Sequence, residues 1–537
     1  ASLDSALTNV NGALMAIEGA RDGVATVMSN INTLQAYAST NNCTILNDGS
    51  VVGEGSRTQR GGKSPARLNI EQGIKDVIEQ ADQVDTDLYH ALQDINNDSY
   101  TDGDWAENKV IGVPDLPQPN WSPSQNAAWW NSLPDDRKQF FTDHCPDTVR
   151  HLDGLPAAAR DRANRFALEG YVDANGKEQP GALADAKEAV KDAQKEYDDA
   201  RKHLSAYEPR SGHMNSEERV AREKLERAKV AYEDLKTIQK QIANADRMNK
   251  GLAPAYLLDF NYDEKYQRTT AIVSAGNPDT ATHVSTLVPG IGTNVRGDLD
   301  YYMDFNDRLR EQTKHAGVDP NNVAAISYLG YVAPKNQGFD KVQAADIGYA
   351  NRAAPKLAQF EEGLRASANA NNHKFTNTLL THSYGSTTGG KSATLMAPGT
   401  VDRLILAGSP GAGADTIDAY NVSREHVYVS SIPTSDAVQD LNTFTPSGFG
   451  SDPRYLDGIT HLSGDVTDSE NYVPPRVPPI DDNPLIHQAY RFVHALDHHM
   501  AYFDENTRTS QDFANIVAGG NPTTDEEWAA IKAARGK

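Results

Sequence analysis

The chain has 537 residues, 38% hydrophobic and 23% charged, which gives length for two or three domains and the composition of a folded rather than a disordered protein. A formal net charge of −23 argues against a surface for nucleic acid or anionic membrane. No apolar run approaches the ~20 residues of a membrane span, no signal peptide is visible, and Cys43 and Cys145 fit no metal spacing. The start at Ala1 reads as the loss of an initiator Met or of a longer segment.

Leu3, Ala6, Leu7, Val10, Leu14 and Ile17, then Ile31 and Leu34, recur at helical spacing. A polar, Gly-rich stretch from Asn41 to Gly62 interrupts them. Leu68, Ile70, Ile74, Val77, Ile78, Ala81, Val84, Leu88, Leu92 and Ile95 then resume the period. The two runs predict a helical hairpin over residues 1–100. Two roles fit it: a cap on a catalytic domain, or an export element of the kind that opens proteins carried by type VII secretion machinery. The second draws on Tyr100 and Asp104, at the Tyr-x-x-x-Asp/Glu spacing of such a tag, and would give residues 1–104 a secretion-system partner and a secreted or envelope location. The cap reading is preferred, because residues 128–165 also look helical and would otherwise lack a partner.

Residues 101–180 are expected to be a linker followed by a helical wrap. The linker is rich in Pro, Asp and Asn, and the wrap holds Trp129-Trp130, Leu152 to Pro156 and Arg160 to Arg165. Over residues 181–245, Leu183, Ala186, Val190, Ala193, Tyr197, Ala200 and Leu204 form a heptad seam. Pro209 to Asn215 break it, and Ala221, Leu225, Ala228, Tyr232 and Leu235 resume it. This predicts an antiparallel helical hairpin with charged outer faces.

From Gly251 to the end, β-rich runs alternate with helices. The runs are 271–274, 283–288, 323–329, 375–380, 401–407 and 427–430; helices at 300–315 and 356–370 separate several of them. Such alternation predicts a mostly parallel sheet with helices on both faces, and a site at the carboxyl ends of its strands.

One stretch carries chemistry. Residues 374–397 read as a strand, a tight turn bearing Ser383, and a small-residue helix, the layout of a nucleophile elbow. The turn would raise the Ser383 hydroxyl above the sheet and set the following N–H groups at a helix N-terminus, where developing negative charge is favoured. Gly385 suits so tight a turn. Two residues before the Ser, where the usual pattern has Gly, this chain has Thr381.

A Ser hydroxyl needs a His to take its proton and a carboxylate to orient that His. In α/β-hydrolase order the acid and then the His follow the Ser. Asp436 lies in the loop after the run 427–430, with Asp440 and Asp452 as rivals. The base candidates are His461, His487, His494, His498 and His499, and a loop beyond the last strand favours the 494–499 group. His494 and His498 share a helix face, but no third ligand at matched spacing accompanies them, so neither metal nor cofactor is expected. The oxyanion hole needs a second backbone N–H, and Pro289 to Asn294, after the run 283–288, is a loop fit for it.

With these residues assembled, the chain resembles the actinobacterial α/β-hydrolase family of the domain of unknown function 1023. The matching pieces are Trp129-Trp130 with Leu133, Leu152 to Pro156, Arg160 to Arg165, Val288 to Thr293, Gly330-Tyr331 with Pro334, His382 to Ser386, Asp436 to Val438, Phe449 to Pro453, and His499 with Tyr502-Phe503. They span about residues 129–519 and leave residues 1–100 uncovered. The family's His precedes an aromatic pair by three residues, which selects His499. The resemblance implies an α/β-hydrolase fold and a serine hydrolase. Ser383 would be the nucleophile, His499 the base and Asp436 its orienting acid, with the N–H groups of Tyr384 and of Ile291 or Gly292 holding the oxyanion. The expected substrate is a carboxylic or lipid ester; a peptidase or amidase, or a hydrolase-like binding module without activity, are the alternatives.

Overall fold

The computed structural model describes residues 3–53, 64–96, 117, 120–173, 177–205, 216–334, 347–432, 436, 438, 449–467 and 499–535. It divides into two compact units, Ala1–Pro119 and Asn120–Lys537. No helix among the described residues is long and apolar enough to cross a membrane.

The first unit pairs helix α1 (Leu3–Thr40) with α2 (Pro65–Asn96), joined through the antiparallel strands β1 (Thr44–Ile45) and β2 (Val51–Val52). Asn30 donates to Gln80 at 2.8 Å and Asn69 to the Tyr37 hydroxyl at 3.4 Å, so the helices run antiparallel. Val27, Leu34 and Val77 form one apolar cluster, and Ala38, Cys43, Val51 and Ile70 another. Not all of the periodic apolar positions turn inward: Ile17 and Ile78 are 57% and 56% exposed. Tyr100 and Asp104 lie outside the described residues.

The second unit opens with α3 (Pro123–Ser132), α4 (Asp135–His144), α5 (Pro146–Val149) and α6 (Ala157–Glu169). Helix α3 starts on a capping box: the Ser122 hydroxyl accepts the Gln125 N–H, and the Gln125 side chain accepts the Ser122 N–H. A short pair, β3 (Gly170–Val172) and β4 (Glu178–Pro180), leads to α7 (Ala182–Ser205), α8 (Ser216–Gln241) and α9 (Asn244–Asn249). Lys224 meets Glu196 at 2.6 Å and Arg201 meets Glu218 at 3.9 Å, which makes α7 and α8 antiparallel. This hairpin is built into the unit. Its Leu235 and Ile238 join the main core, and buried Asp234 accepts the Arg296 N–H at 3.1 Å.

The main sheet has eight strands: β5 (Ala255–Asp263), β6 (Arg268–Ala275), β7 (His283–Val288), β8 (Val323–Leu329), β9 (Thr376–His382), β10 (Arg403–Ala407), β11 (Val427–Ser430) and β12 (Thr460–His461). Their order is β12-β11-β10-β9-β7-β8-β6-β5, with β6 antiparallel to both its neighbours and the other pairings parallel. Helices α10 (Val295–Gln312), α11 (Gly348–Ala370), α12 (Tyr384–Leu395), α13 (Arg508–Val517) and α14 (Asp525–Arg535) complete the unit. Strand side chains alternate between two cores. Leu287, Leu380 and Ile405 face α8, α10 and α13; Val288, Leu379, Leu404 and Leu406 face α11 and α12.

Strand β5 was not among the expected runs. It sits at the sheet edge and is covered by the wrap: Leu257 N–H donates to Asp161 at 2.7 Å, and Asn164 and Arg165 donate to the Leu257 and Ala255 carbonyls. Asn131 reaches the Ala370 carbonyl at the end of α11. Residues 128–165 therefore have partners within their own unit, which removes the reason for preferring the cap reading of residues 1–100. Helix α11 also starts two turns earlier than expected and runs through Pro355. In its first turn the Ala350 N–H is held by the Tyr384 hydroxyl at 3.1 Å.

Chain order reverses between β7 and β9. Strand β8 lies on one side of β7, while β9 and its successors lie on the other. The loops leaving β7 and β9 therefore diverge and leave a crevice at their carboxyl ends, where ligands bind in sheets of this type.

Candidate active site

Ser383 sits between β9 and α12 with φ 57° and ψ −132°, a conformation side-chain-bearing residues rarely adopt. Strain of this kind costs about 1–3 kcal/mol and persists only where the surroundings impose it. They do so here. The Ser383 N–H donates to the Ala407 carbonyl at the end of β10 at 2.9 Å, and the Ser383 carbonyl accepts from the Ser386 N–H at 2.9 Å. Two glycines make the turn sterically feasible. A Cβ at Gly385 would stand 2.3 Å from the Val288 carbonyl oxygen, so the helix can approach β7 only without a side chain there. Thr381, the departure from the usual Gly, is accommodated by Gly389: a Cβ at Gly389 would fall 2.3 Å from the Thr381 methyl. The Thr381 hydroxyl donates to the Ile405 carbonyl at 2.6 Å.

The loop after β7 lies directly on the elbow. A Cβ at Gly290 would be 2.6 Å from Ser383 Cβ and 2.8 Å from its Oγ. Tyr384 occupies the first position of α12, and Ile291 is half-buried in an apolar cluster with Tyr384, Ala350 and Phe449. Gly292 is corrected as an oxyanion candidate: its N–H donates to the Pro334 carbonyl at 2.8 Å, which leaves Ile291 of the two expected in this loop.

Asp436 and His499 are 63 positions apart and meet: His499 Nδ1 lies 2.9 Å from each Asp436 oxygen, both side chains being buried. The Tyr502 hydroxyl donates to Asp436 Oδ2 at 3.0 Å and accepts the Ile432 N–H at 3.0 Å. The other ring nitrogen of His499, Nε2, is buried with no hydrogen-bond partner among the described residues. Ser383 is thus brought beside this pair without being bonded to it. His382, its chain neighbour, stacks on the His499 ring with centroids 4.5 Å apart. Links between nucleophile and base are commonly long in the free state and tighten on substrate. Of the rivals, Asp452 is taken up by Arg454 at 2.7 Å and by capping a 3-10 turn. His461 lies on β12, and Asp440, His487, His494 and His498 lie outside the described residues. No group of three or more His, Cys, Asp or Glu among the described residues is placed to hold a metal.

Sequence reasoning missed His382 and Tyr502 as parts of the site. Burial pushes the His382 imidazole down to about 3, with the neighbouring His499 adding to the effect. It is therefore neutral, and its Nε2–H donates to the His499 carbonyl at 2.8 Å. Burial, with Asp436 beside it, holds the Tyr502 phenol well above its ordinary range. The available signal was spacing: Tyr502 stands three residues after His499, and a buried Tyr hydroxyl needs a polar partner.

Two uncharacterized proteins from Mycobacterium tuberculosis strains are each 25% identical to this chain over 321 residues, covering 59% of it and 44% of their own length. The chain thus spans less than half the length of these relatives. A poly(3-hydroxybutyrate) depolymerase from Bordetella parapertussis is 16% identical, with 55% of this chain and 99% of that one covered at a TM-score of 0.25. A family model described as alpha/beta hydrolase matches residues 264–446. That match, with the mostly parallel eight-stranded sheet and its flanking helices, makes the fold of the second unit that of an α/β hydrolase.

Proposed function

We propose that the second unit is a serine hydrolase that cleaves a carboxylic or lipid ester through an acyl-enzyme. The observation that carries the reading is the Asp436–His499 contact at 2.9 Å beside an elbow Ser held at φ 57°. The resemblance to the domain-of-unknown-function-1023 family supports the same residues. In the first step Ser383 Oγ attacks the ester carbonyl while His499 Nε2 takes its proton. Asp436 holds Nδ1–H, fixes the tautomer and stabilises the imidazolium. The N–H groups of Tyr384 and Ile291 receive the oxyanion, aided by the positive end of α12. His499 then protonates the departing alkoxide, and water repeats the sequence on the acyl-enzyme to release the acid and regenerate Ser383.

A fluorophosphonate probe should label the protein at Ser383, and p-nitrophenyl esters of graded chain length should be turned over. Ser383→Ala is expected to abolish labelling and to lower ester turnover by roughly 10⁴ or more. Undiminished labelling of that variant would overturn the nucleophile. Turnover of amides in preference to esters would move the reading to a peptidase or amidase. Absence of both turnover and labelling would leave a binding module.

A further inference from the structure

The geometry points to His382 and Tyr502 as a pair of positioning residues that clamp the catalytic base from two sides, one through its main chain and one through its acid. This rests on the reading of Ser383, Asp436 and His499 given above.

His499 does not lie on a strand of the sheet, so something else must fix its ring. His382, the last residue of β9 and the one before Ser383, supplies the first tie through its Nε2–H to the His499 carbonyl at 2.8 Å. It joins the elbow to the base within a single residue step, and their rings lie 4.5 Å apart with planes 33° from parallel. Tyr502 supplies the second tie. Its hydroxyl donates to Asp436 Oδ2 while accepting the Ile432 N–H just beyond β11, so the acid is held against the sheet. Phe503 completes the packing, edge-on to His382 with centroids 4.8 Å apart and 4.8 Å from the Phe305 ring of α10. The spacing between His499 and the aromatic pair thus has a physical reason: one short 3-10 turn, Ala501–Phe503, brings Tyr502 to Asp436 and Phe503 to His382.

Among the described residues, the charged and titratable groups at this assembly include His382 on β9, Asp436 after β11, Tyr502, and Arg454, which acts on Tyr502 electrostatically. Since His382 is neutral across the working range, its tie is insensitive to pH. A donor to the Asp436 carboxylate tempers its basicity, so removing the Tyr502 hydroxyl strengthens the hold of Asp436 on the imidazolium. The clamp therefore acts on the rate and on its pH dependence together.

Tyr502→Phe, His382→Phe and His382→Gln test this, alongside Ser383→Ala as the control for the catalytic reading. Misplacing a reacting group by about 1 Å costs roughly a hundredfold, and the two Phe variants are expected to lose ten- to a hundredfold of kcat with KM little changed. In Tyr502→Phe the acid limb of kcat/KM should also move to higher pH. His382→Gln, which keeps a donor, should recover much of the loss. If Ser383→Ala abolishes labelling while both Phe variants keep the wild-type rate and pH profile, the clamp is refuted and the catalytic reading stands. A fall in Tm with an unmoved pH profile, no change in kcat per folded molecule and no rescue by Gln would also refute it, as a purely structural role. If Ser383→Ala still labels, the catalytic reading itself fails.

Discussion

The first unit and the elbow of the second solve the problem of close approach by different means, side-chain packing in one and bare backbone in the other. In the first unit, α1 and α2 are successive helices, and the clusters that hold them draw on Val27, Leu34, Ala38, Cys43, Val51, Ile70 and Val77. At the elbow, Gly385 must clear the Val288 carbonyl, Gly389 must receive the Thr381 methyl, and Ser383 must be tied to Ala407. A hairpin tolerates local error, since one poorly packed layer leaves the rest in register. An elbow does not, since Gly385 faces backbone that the sheet has already fixed.

The largest effect expected is from Gly385→Val. Its side chain meets backbone oxygens, which cannot move aside, and a loss of ~4 kcal/mol or more of stability in the second unit follows. Chemical denaturation should show this directly, and near-normal stability would mean that the helix can shift away from β7. Leu34→Ala should cost about 2–5 kcal/mol for a buried side chain, confined to the unfolding of residues 1–119 and without effect on ester turnover. A change in turnover would break the separation of the units.

Glu361 offers a pH test of the second unit. It is fully buried on α11 and accepts from Asn377 at 2.8 Å, and burial pushes its carboxyl from the ordinary 4.5 up to about 7. The folded state therefore binds this proton more tightly than the unfolded one between about pH 4.5 and 7, and stability falls as pH rises through that window. Glu361→Gln should leave stability near pH 4 little changed and raise it at pH 8 by on the order of 3 kcal/mol, which melting curves at the two pH values would show. Equal Tm differences at both would contradict the linkage.

If residues 1–119 serve export, deleting them should leave the second unit's melting transition in place, since each unit is compact in itself. A pronounced fall in its Tm would instead favour the cap reading over export. The smallest effect belongs to Ile17→Ser. At 57% exposure this substitution should stay within about 0.5 kcal/mol by denaturant titration, and a larger loss would mean that something covers this face.

Local pattern made much of this molecule legible. Period 3.6 marked the helices of both hairpins, short β-rich runs marked β7, β8 and β11, and a Ser between a strand and a small-residue helix marked the elbow, because each signal is written within about a dozen residues. Chain order after Ser383 directed attention to Asp436, and the family's aromatic spacing directed it to His499. Tertiary structure alone decided the rest. Edge strand β5 is a strand because the wrap satisfies its backbone. Thr381 is tolerated because Gly389, on the helix that packs back against β9, receives its methyl. Gly292 is excluded because Pro334 occupies its N–H. His382 and Tyr502 support the base because the sheet carries β9 and the loop after β11 to one edge of the crevice. Hydrogen bonds between residues tens to more than a hundred positions apart leave no periodic trace in a single sequence, so the side chains that hold the site together emerge only once the sheet has closed.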